Sequence, residues 1–143
     1  LYVKKSGLKS AGKGLFTRKA ISKGKCICEY KGRIQTWKVS LEQPGDNPYF
    51  LYINAKAVIN PIYQKKSLAH FANDADGFSR SKHHRNNAEY ITEGKRCWIY
   101  STSDIGRYQE IFVDYGRDYW KVRKEIIAEQ KAEAKKLKKK KRS

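Results

Sequence analysis

Short β-prone runs, each closed within a few residues by a turn signal, are what most limits how this chain can fold. Leu1-Tyr2-Val3 leads into a turn at Ser10-Ala11-Gly12-Lys13-Gly14, after which Leu15-Phe16 resumes the strand. Ser22-Lys23-Gly24 turns again, Cys26 to Tyr30 follows, and Lys31-Gly32 breaks that run. Residues 35 to 48 are polar and end in the loop tip Pro44-Gly45-Asp46-Asn47-Pro48. Tyr49 to Ile53 and Ala57 to Ile59 read as a hairpin about Asn54-Ala55-Lys56, and Ser67 to Asn73 as a short helical turn. Residues 74 to 87 form an irregular, exposed insertion. Ala88 to Thr92, Cys97 to Ser101 and Glu110 to Tyr115 are three further strands. From Tyr119 the pattern becomes helical: Val122, Ile126 and Ala128 to Ala132 make a thin apolar stripe, and beyond Ala134 the helix is expected to fray. Many short strands, few helices and scattered glycines describe a β-rich domain.

With 143 residues, 39% of them hydrophobic and 13% aromatic, there is room for one domain with a modest core and a tail. No apolar run approaches the roughly 18 residues of a membrane span, and no signal-peptide pattern opens the chain, so these residues are expected to be soluble and intracellular. Leu1 at the start and the absence of Met are expected of a trimmed chain. Cys26, Cys28 and Cys97 are odd in number and lack C-x-x-C spacing. That excludes a disulfide scaffold and a four-cysteine zinc site, no metal is expected, and the three read as buried thiols in a reducing compartment. The net charge of +18 is extreme. From Lys121 onward eleven Lys/Arg face three Glu, a tail of +8, and the body keeps 21 basic against 11 acidic residues, or +10. Such a surface attracts polyanions, and Lys138 to Arg142 is the candidate contact for nucleic acid or a nucleosome, or a nuclear address in a nucleated cell.

Gly12-Lys13-Gly14 alone is a weak signal, lacking both the third glycine of a dinucleotide fingerprint and the Gly-Lys-Ser/Thr of a phosphate loop. The order of several weak motifs says more. Ser10-Ala11-Gly12-Lys13-Gly14-Leu15-Phe16-Thr17 precedes Ile21-Ser22-Lys23-Gly24 and Glu29-Tyr30-Lys31-Gly32. Ala69-His70-Phe71-Ala72-Asn73 and Asn87-Ala88-Glu89-Tyr90 come later, and Glu110 to Gly116 with Tyr119-Trp120 closes the series. This series resembles the SET-domain protein-lysine methyltransferases from about Tyr2 to Trp120. The resemblance implies a mainly β SET-domain fold of small curved sheets, with a threaded C-terminal pseudoknot, here followed by a C-terminal helix. It implies a catalytic domain over residues 1–120 and a basic helix and tail over 121–143.

The same resemblance implies S-adenosylmethionine as methyl donor, S-adenosylhomocysteine as product, and a partner protein that presents a lysine. The backbone of Gly12, Lys13, Gly14 and Leu15 is expected to hold the methionine part of the cofactor. His70, Phe71, Asn73 and Asp74 line its other side, and Trp120 covers the adenine. Tyr115 stands beside the transferred methyl, and Tyr30 and Tyr90 line the lysine channel. His70 is expected to contribute its backbone. Tyr2, Tyr100, Tyr108 and Trp37 are read as packing or surface, and His83 and His84 as surface.

The chemistry suits these residue types. A free lysine has a pKa near ~10.4 and, protonated, has no lone pair. An aromatic channel disfavours the ammonium form, so Tyr30, Tyr90 and Tyr115 favour deprotonation without a dedicated base. A tyrosine hydroxyl in the channel also limits how many methyl groups fit, and Tyr90 is expected to favour mono-methylation. The pattern departs from the family at several points. Asp74 follows the asparagine where His is usual, Asn86 precedes Asn87 where Pro is usual, and no cysteine-rich zinc segment follows, so the helix after Trp120 is expected to close the channel. Asp74 keeps alive the reading of a SET-shaped binding module without turnover, and a third reading is a basic nucleic-acid-binding domain whose likeness to the family is structural only. The charge favours a histone-like or nucleic-acid-associated substrate, met either by an acidic channel rim drawn from Asp46, Asp74, Asp76 and Asp104 or on a polyanion.

Overall fold

A computed structural model of the chain describes residues 1–42, 50–54, 56–61, 67–77 and 82–142, with residues 41–42, 117–127, 130 and 142 described by their backbone alone. Nine strands among these residues make three small antiparallel sheets. The first contains β1 (Tyr2–Lys5), β2 (Lys13–Phe16) and β9 (Glu110–Ile111), with β2 in the middle. The second places β8 (Arg96–Ser101) between β3 (Cys26–Glu29) and β7 (Ala88–Glu93). In the third, β6 (Ala57–Asn60) lies between β4 (Arg33–Gln35) and β5 (Leu51–Asn54).

Each central strand is the most apolar of its sheet. All four residues of β6 are buried, and β8 alternates so that Cys97, Ile99 and Ser101 face inward. Leu15, Ile59, Ile99, Ile105, Ile111 and Val113 from the three sheets and their connections share one core with Tyr30. A smaller cluster joins Leu8, Ala75 and Phe112.

The segment after β9 is bonded on two sides. Phe112 makes a parallel bridge to Asn73, and Val113 makes one to Ala88. The main-chain N–H of Val113 donates to Asn73 O at 2.8 Å, while those of Asn87 and Ala88 both donate to Phe112 O at 3.0 Å. Residues 110–115 are thus held between two stretches far away in sequence, the arrangement a threaded segment requires.

Several expectations are corrected. Lys13 and Gly14 belong to β2 rather than to a turn; the turn is the loop before them, closed by Ser6 N–H to Gly12 O at 2.8 Å. Gly14 is needed for close approach, because an added Cβ would stand 2.0 Å from Oε1 of Glu110. The polar stretch read as loop contains the helix α1 (Trp37–Glu42), started by Thr36, whose hydroxyl accepts the Val39 N–H at 3.2 Å. The strand read as Glu110 to Tyr115 pairs regularly only at Glu110 and Ile111. The helix α2 runs from Arg117 to Arg142 without a break at Ala134, since Lys, Leu and Ala all propagate helix and no Gly or Pro interrupts them. No described helix is long and apolar enough to cross a membrane.

The thiols differ from one another. Cys26 is exposed, Cys28 half-buried and Cys97 buried, so the reading of three buried cysteines holds only in part. Burial pushes the thiols of Cys28 and Cys97 up to about 12, which keeps both protonated and unreactive. His84 is not a surface residue: its ring stands edge-on to Phe112, with centroids 5.5 Å apart.

Candidate active site

Two groups of sequence-predicted residues come together around the segment 110–115. The first lies where β2 meets a 3-10 turn, Ala69–Phe71. The amide nitrogen of Asn73 donates to Lys13 O at 2.9 Å. A primary amide has one donor end and one acceptor end, so this bond leaves Oδ1 as the outward acceptor, suited to an ammonium group. Gly12 sits at φ 72°, and an added Cβ there would meet nothing within 4 Å, so the backbone is open to a ligand. Leu15 is fully buried, backbone included, and pairs with Val3 and Ile111 in the sheet, so it backs the loop rather than facing a ligand. The His70 ring packs on Phe71 with centroids 4.2 Å apart, and burial lowers its pKa, keeping it neutral. An acceptor for an ammonium, an open glycine backbone and an aromatic pair together fit the methionine end of S-adenosylmethionine. Trp120 falls in α2, and its side chain is outside the described residues.

The second group is the three tyrosines. Tyr30 follows β3, and its N–H donates to Cys97 O at 2.8 Å. Tyr90 stands in β7 opposite Ile99. The rings of Tyr30 and Tyr90 meet edge-on, 6.0 Å between centroids, and those of Tyr90 and Tyr115 stack at 6.3 Å. Tyr30 is buried, while Tyr90 and Tyr115 are half-buried. The Tyr115 hydroxyl donates to the carbonyl of Ala72, immediately before Asn73. With its single proton committed there, the oxygen turns lone pairs toward any third group.

The carboxylate of Asp74 is 4% exposed and points into the fold. Its Oδ2 accepts the Tyr115 N–H at 3.0 Å, and its Oδ1 accepts the Asn86 amide at 2.9 Å and the Asp76 N–H at 2.8 Å. Asn86 returns a bond by accepting the Ala75 N–H at 2.8 Å. The two departures from the family pattern, Asp74 and Asn86, are therefore partners. Among the described residues expected to make an acidic rim, Asp74 is withdrawn from the surface while Asp76 and Asp104 are exposed. Asp74 is internal, Asp76 accepts from Asn86 at 3.2 Å, Asp104 accepts the Lys23 N–H at 2.8 Å, and Asp46 lies outside the described residues.

The sequence reading missed two residues that shape the site. Glu110, 7% exposed, accepts the Ser6 hydroxyl at 2.6 Å and the Gly7 N–H at 3.0 Å, tying the loop before Gly12 to β9. The Asn87 side chain donates to Glu110 O and accepts the Phe112 N–H, both at 2.9 Å. A carboxylate heading an otherwise apolar run, Glu110-Ile111-Phe112-Val113, was the available signal for the first.

An antiparallel β-fold carrying a glycine-lined backbone cradle behind a tyrosine cluster defines the class. The SET-domain family model matches residues 12–116, and the chain belongs to the SET-domain family, whose members are generally protein-lysine methyltransferases. Curated proteins give no match.

Removing the Asp74 carboxylate leaves three donors without it. Asp74→Ala is expected to lower stability by about 1–3 kcal/mol in urea unfolding, and Asn86→Ala by less. The double variant is expected to lose less than the sum of the two, because the same bond is removed in each. Strictly additive losses would show that the pair is not coupled.

Proposed function

We propose that this protein is an S-adenosylmethionine-dependent protein-lysine N-methyltransferase, acting through residues 1–120 on a histone-like or nucleic-acid-associated protein. The observation that carries the reading is the meeting of Tyr30, Tyr90 and Tyr115, with the Tyr115 hydroxyl anchored beside Asn73. Asp74, the departure that favours a binding module without turnover, has a structural use inside the fold, which supports the catalytic reading.

The cofactor would be held by the Gly12–Gly14 backbone, by the Asn73 amide oxygen and by His70 and Phe71. When bound, it supplies a methyl group activated by a sulfonium and leaves as S-adenosylhomocysteine. The protein's own part concerns the amine. A lysine entering among the three rings loses water, and its ammonium form is disfavoured, so the proton departs to solvent. Tyr115 is no base at neutral pH. Its oxygen instead accepts from the amine N–H and from the polarised methyl C–H groups, fixing the line of attack. Alignment of this kind supplies several kcal/mol, up to roughly 7–11 in ideal intramolecular cases. The tail from Lys121 onward would hold the enzyme near nucleic acid. Lys138 to Lys141 lie on an exposed stretch of α2.

Methyl transfer from labelled S-adenosylmethionine to proteins of a cell lysate tests the reading. Tyr115→Phe is expected to retain cofactor binding by calorimetry and to lose turnover by about 10²-fold through misalignment. Equal turnover in the two proteins would remove Tyr115 from the mechanism. Wild type is expected to release mainly mono-methyl-lysine by mass spectrometry, and Tyr90→Phe to shift the product upward; early trimethyl-lysine from the wild type contradicts this. Truncation before Lys138 is expected to flatten the salt dependence of duplex DNA binding, by up to about 0.9 in log–log slope per cation lost. An unchanged slope would place the contact elsewhere.

A further inference from the structure

Tyr30 also lines a small hollow of about 160 Å³ that the proposed chemistry does not use. Its lining includes the apolar side chains of Ile34 and Ile59 with Tyr30. It also includes three cations, Lys31, Lys95 and Arg96, with Glu29 as the one carboxylate among the described lining residues. Glu29 is already engaged, since its Oε1 accepts from the Arg96 guanidinium. Glu93, across from Arg96 in the β7–β8 register, offsets a further part of the charge. Three cations thus face two carboxylates.

Resting on the lysine-methyltransferase reading, we propose that this hollow is a subsite for an acidic side chain of the substrate polypeptide, close in sequence to the lysine that is methylated. Tyr30 links the two places, because it lines the hollow and stands 6.0 Å, ring to ring, from Tyr90 in the tyrosine cluster. The size suits one side chain, for a cavity of about 150 Å³ holds a benzene-sized group. Ile34 is 46% exposed and suits the methylenes of Glu or Asp, so an occupant would cover apolar surface. Arg96 is held ready, fixed by Glu29 and by its guanidinium lying 4.8 Å from the Trp98 ring centroid. A guanidinium carries five N–H donors, and among the described residues Glu29 is the one acceptor it meets, so donors remain for a second carboxylate. A lysine or arginine at the same place in the substrate would meet Lys31, Lys95 and Arg96 at close range. The exposed Ile34 side chain distinguishes an acidic side chain from a nucleic-acid phosphate, whose charged oxygens offer no methylenes to cover it.

The test uses fluorescent peptides with one lysine in a Gly-Ala-Ser background, carrying Glu, Lys or Ala at each of three positions on either side. Each peptide is assayed for binding by anisotropy and for methyl transfer. At one position or more, wild type is expected to bind the Glu peptide about tenfold tighter than the Lys peptide, as one specific charge contact allows. In Arg96→Glu, and separately in the exposed Lys95→Glu, the preference is expected to fall below about twofold or to reverse, with an unchanged circular dichroism spectrum. Equal binding of Glu and Lys peptides at every position overturns the proposal, as does a preference that survives both variants. A Glu preference without methyl transfer upholds the subsite and counts against the catalytic reading. Methyl transfer without a Glu preference does the reverse.

Discussion

The stretch from Glu110 to Tyr115 is held chiefly by groups that come from elsewhere in the chain, and the rest of the site depends on that hold. The Asn87 side chain grips it at Glu110 and Phe112, the Asn73 carbonyl at Val113, and the Asp74 carboxylate at Tyr115. Each such bond contributes only about 1 kcal/mol net, but a buried partner left unmatched costs about 1–3 kcal/mol. The register of the segment is therefore fixed more by the penalty for slipping than by the gain from bonding. A slip of one residue would turn Ile111 and Val113 out of the core and carry the Tyr115 ring away from Tyr90. The same segment orders the cofactor side, since Glu110 fastens the Ser6–Gly7 loop next to Gly14. The glycine-bearing loop and the tyrosine cluster are both ordered by the docking of this one segment.

Much of the fold could be read in the sequence because its strands are short and its turns carry strong signals. The hairpin of β5 and β6 and the pair β7 and β8 fall within a residue or two of their expected places. What escaped reading was set by partners distant in sequence. The glycine pair of Gly12 and Gly14 looks like a turn until the Glu110 carboxylate occupies the space a Cβ would need. The end of β9 is invisible locally, for Phe112 and Val113 have strand-forming side chains and yet bridge two different segments. The helix α1 is short and has little apolar period, so only the Thr36 cap announced it.

The site was legible in a different way. Taken singly, Tyr30, Tyr90 and Tyr115 are ordinary core or edge tyrosines, and the order of motifs alone marked them. Asp74 and Asn86 are instructive in the opposite sense. Each looks like a defect in a family pattern, and each would be one if the other were absent. The bond between them spans twelve residues of an irregular insertion, which no local rule predicts. A buried carboxylate needs several donors, and this one finds the Asn86 amide and the Tyr115 and Asp76 N–H groups. The departure that raised doubt about catalysis supplies one of the fastenings of Tyr115, the tyrosine proposed for the chemistry.

Charge acts on this protein at two ranges. The net +18 creates a field that gathers polyanions, and that field is screened beyond roughly 8 Å at physiological salt. On the proposed reading it would bring the protein to an acidic surface without choosing a lysine there. The hollow beside Tyr30 would act at contact distance, well inside that screening length. Raising salt should therefore weaken recruitment more steeply than it weakens the choice among lysines once a polypeptide is bound. A uniformly basic tail would be drawn to the same polyanion and then opposed by Lys31, Lys95 and Arg96. A segment with an acidic residue beside its lysine would avoid that opposition, which is how the proposed reading reconciles so basic a protein with a cationic target.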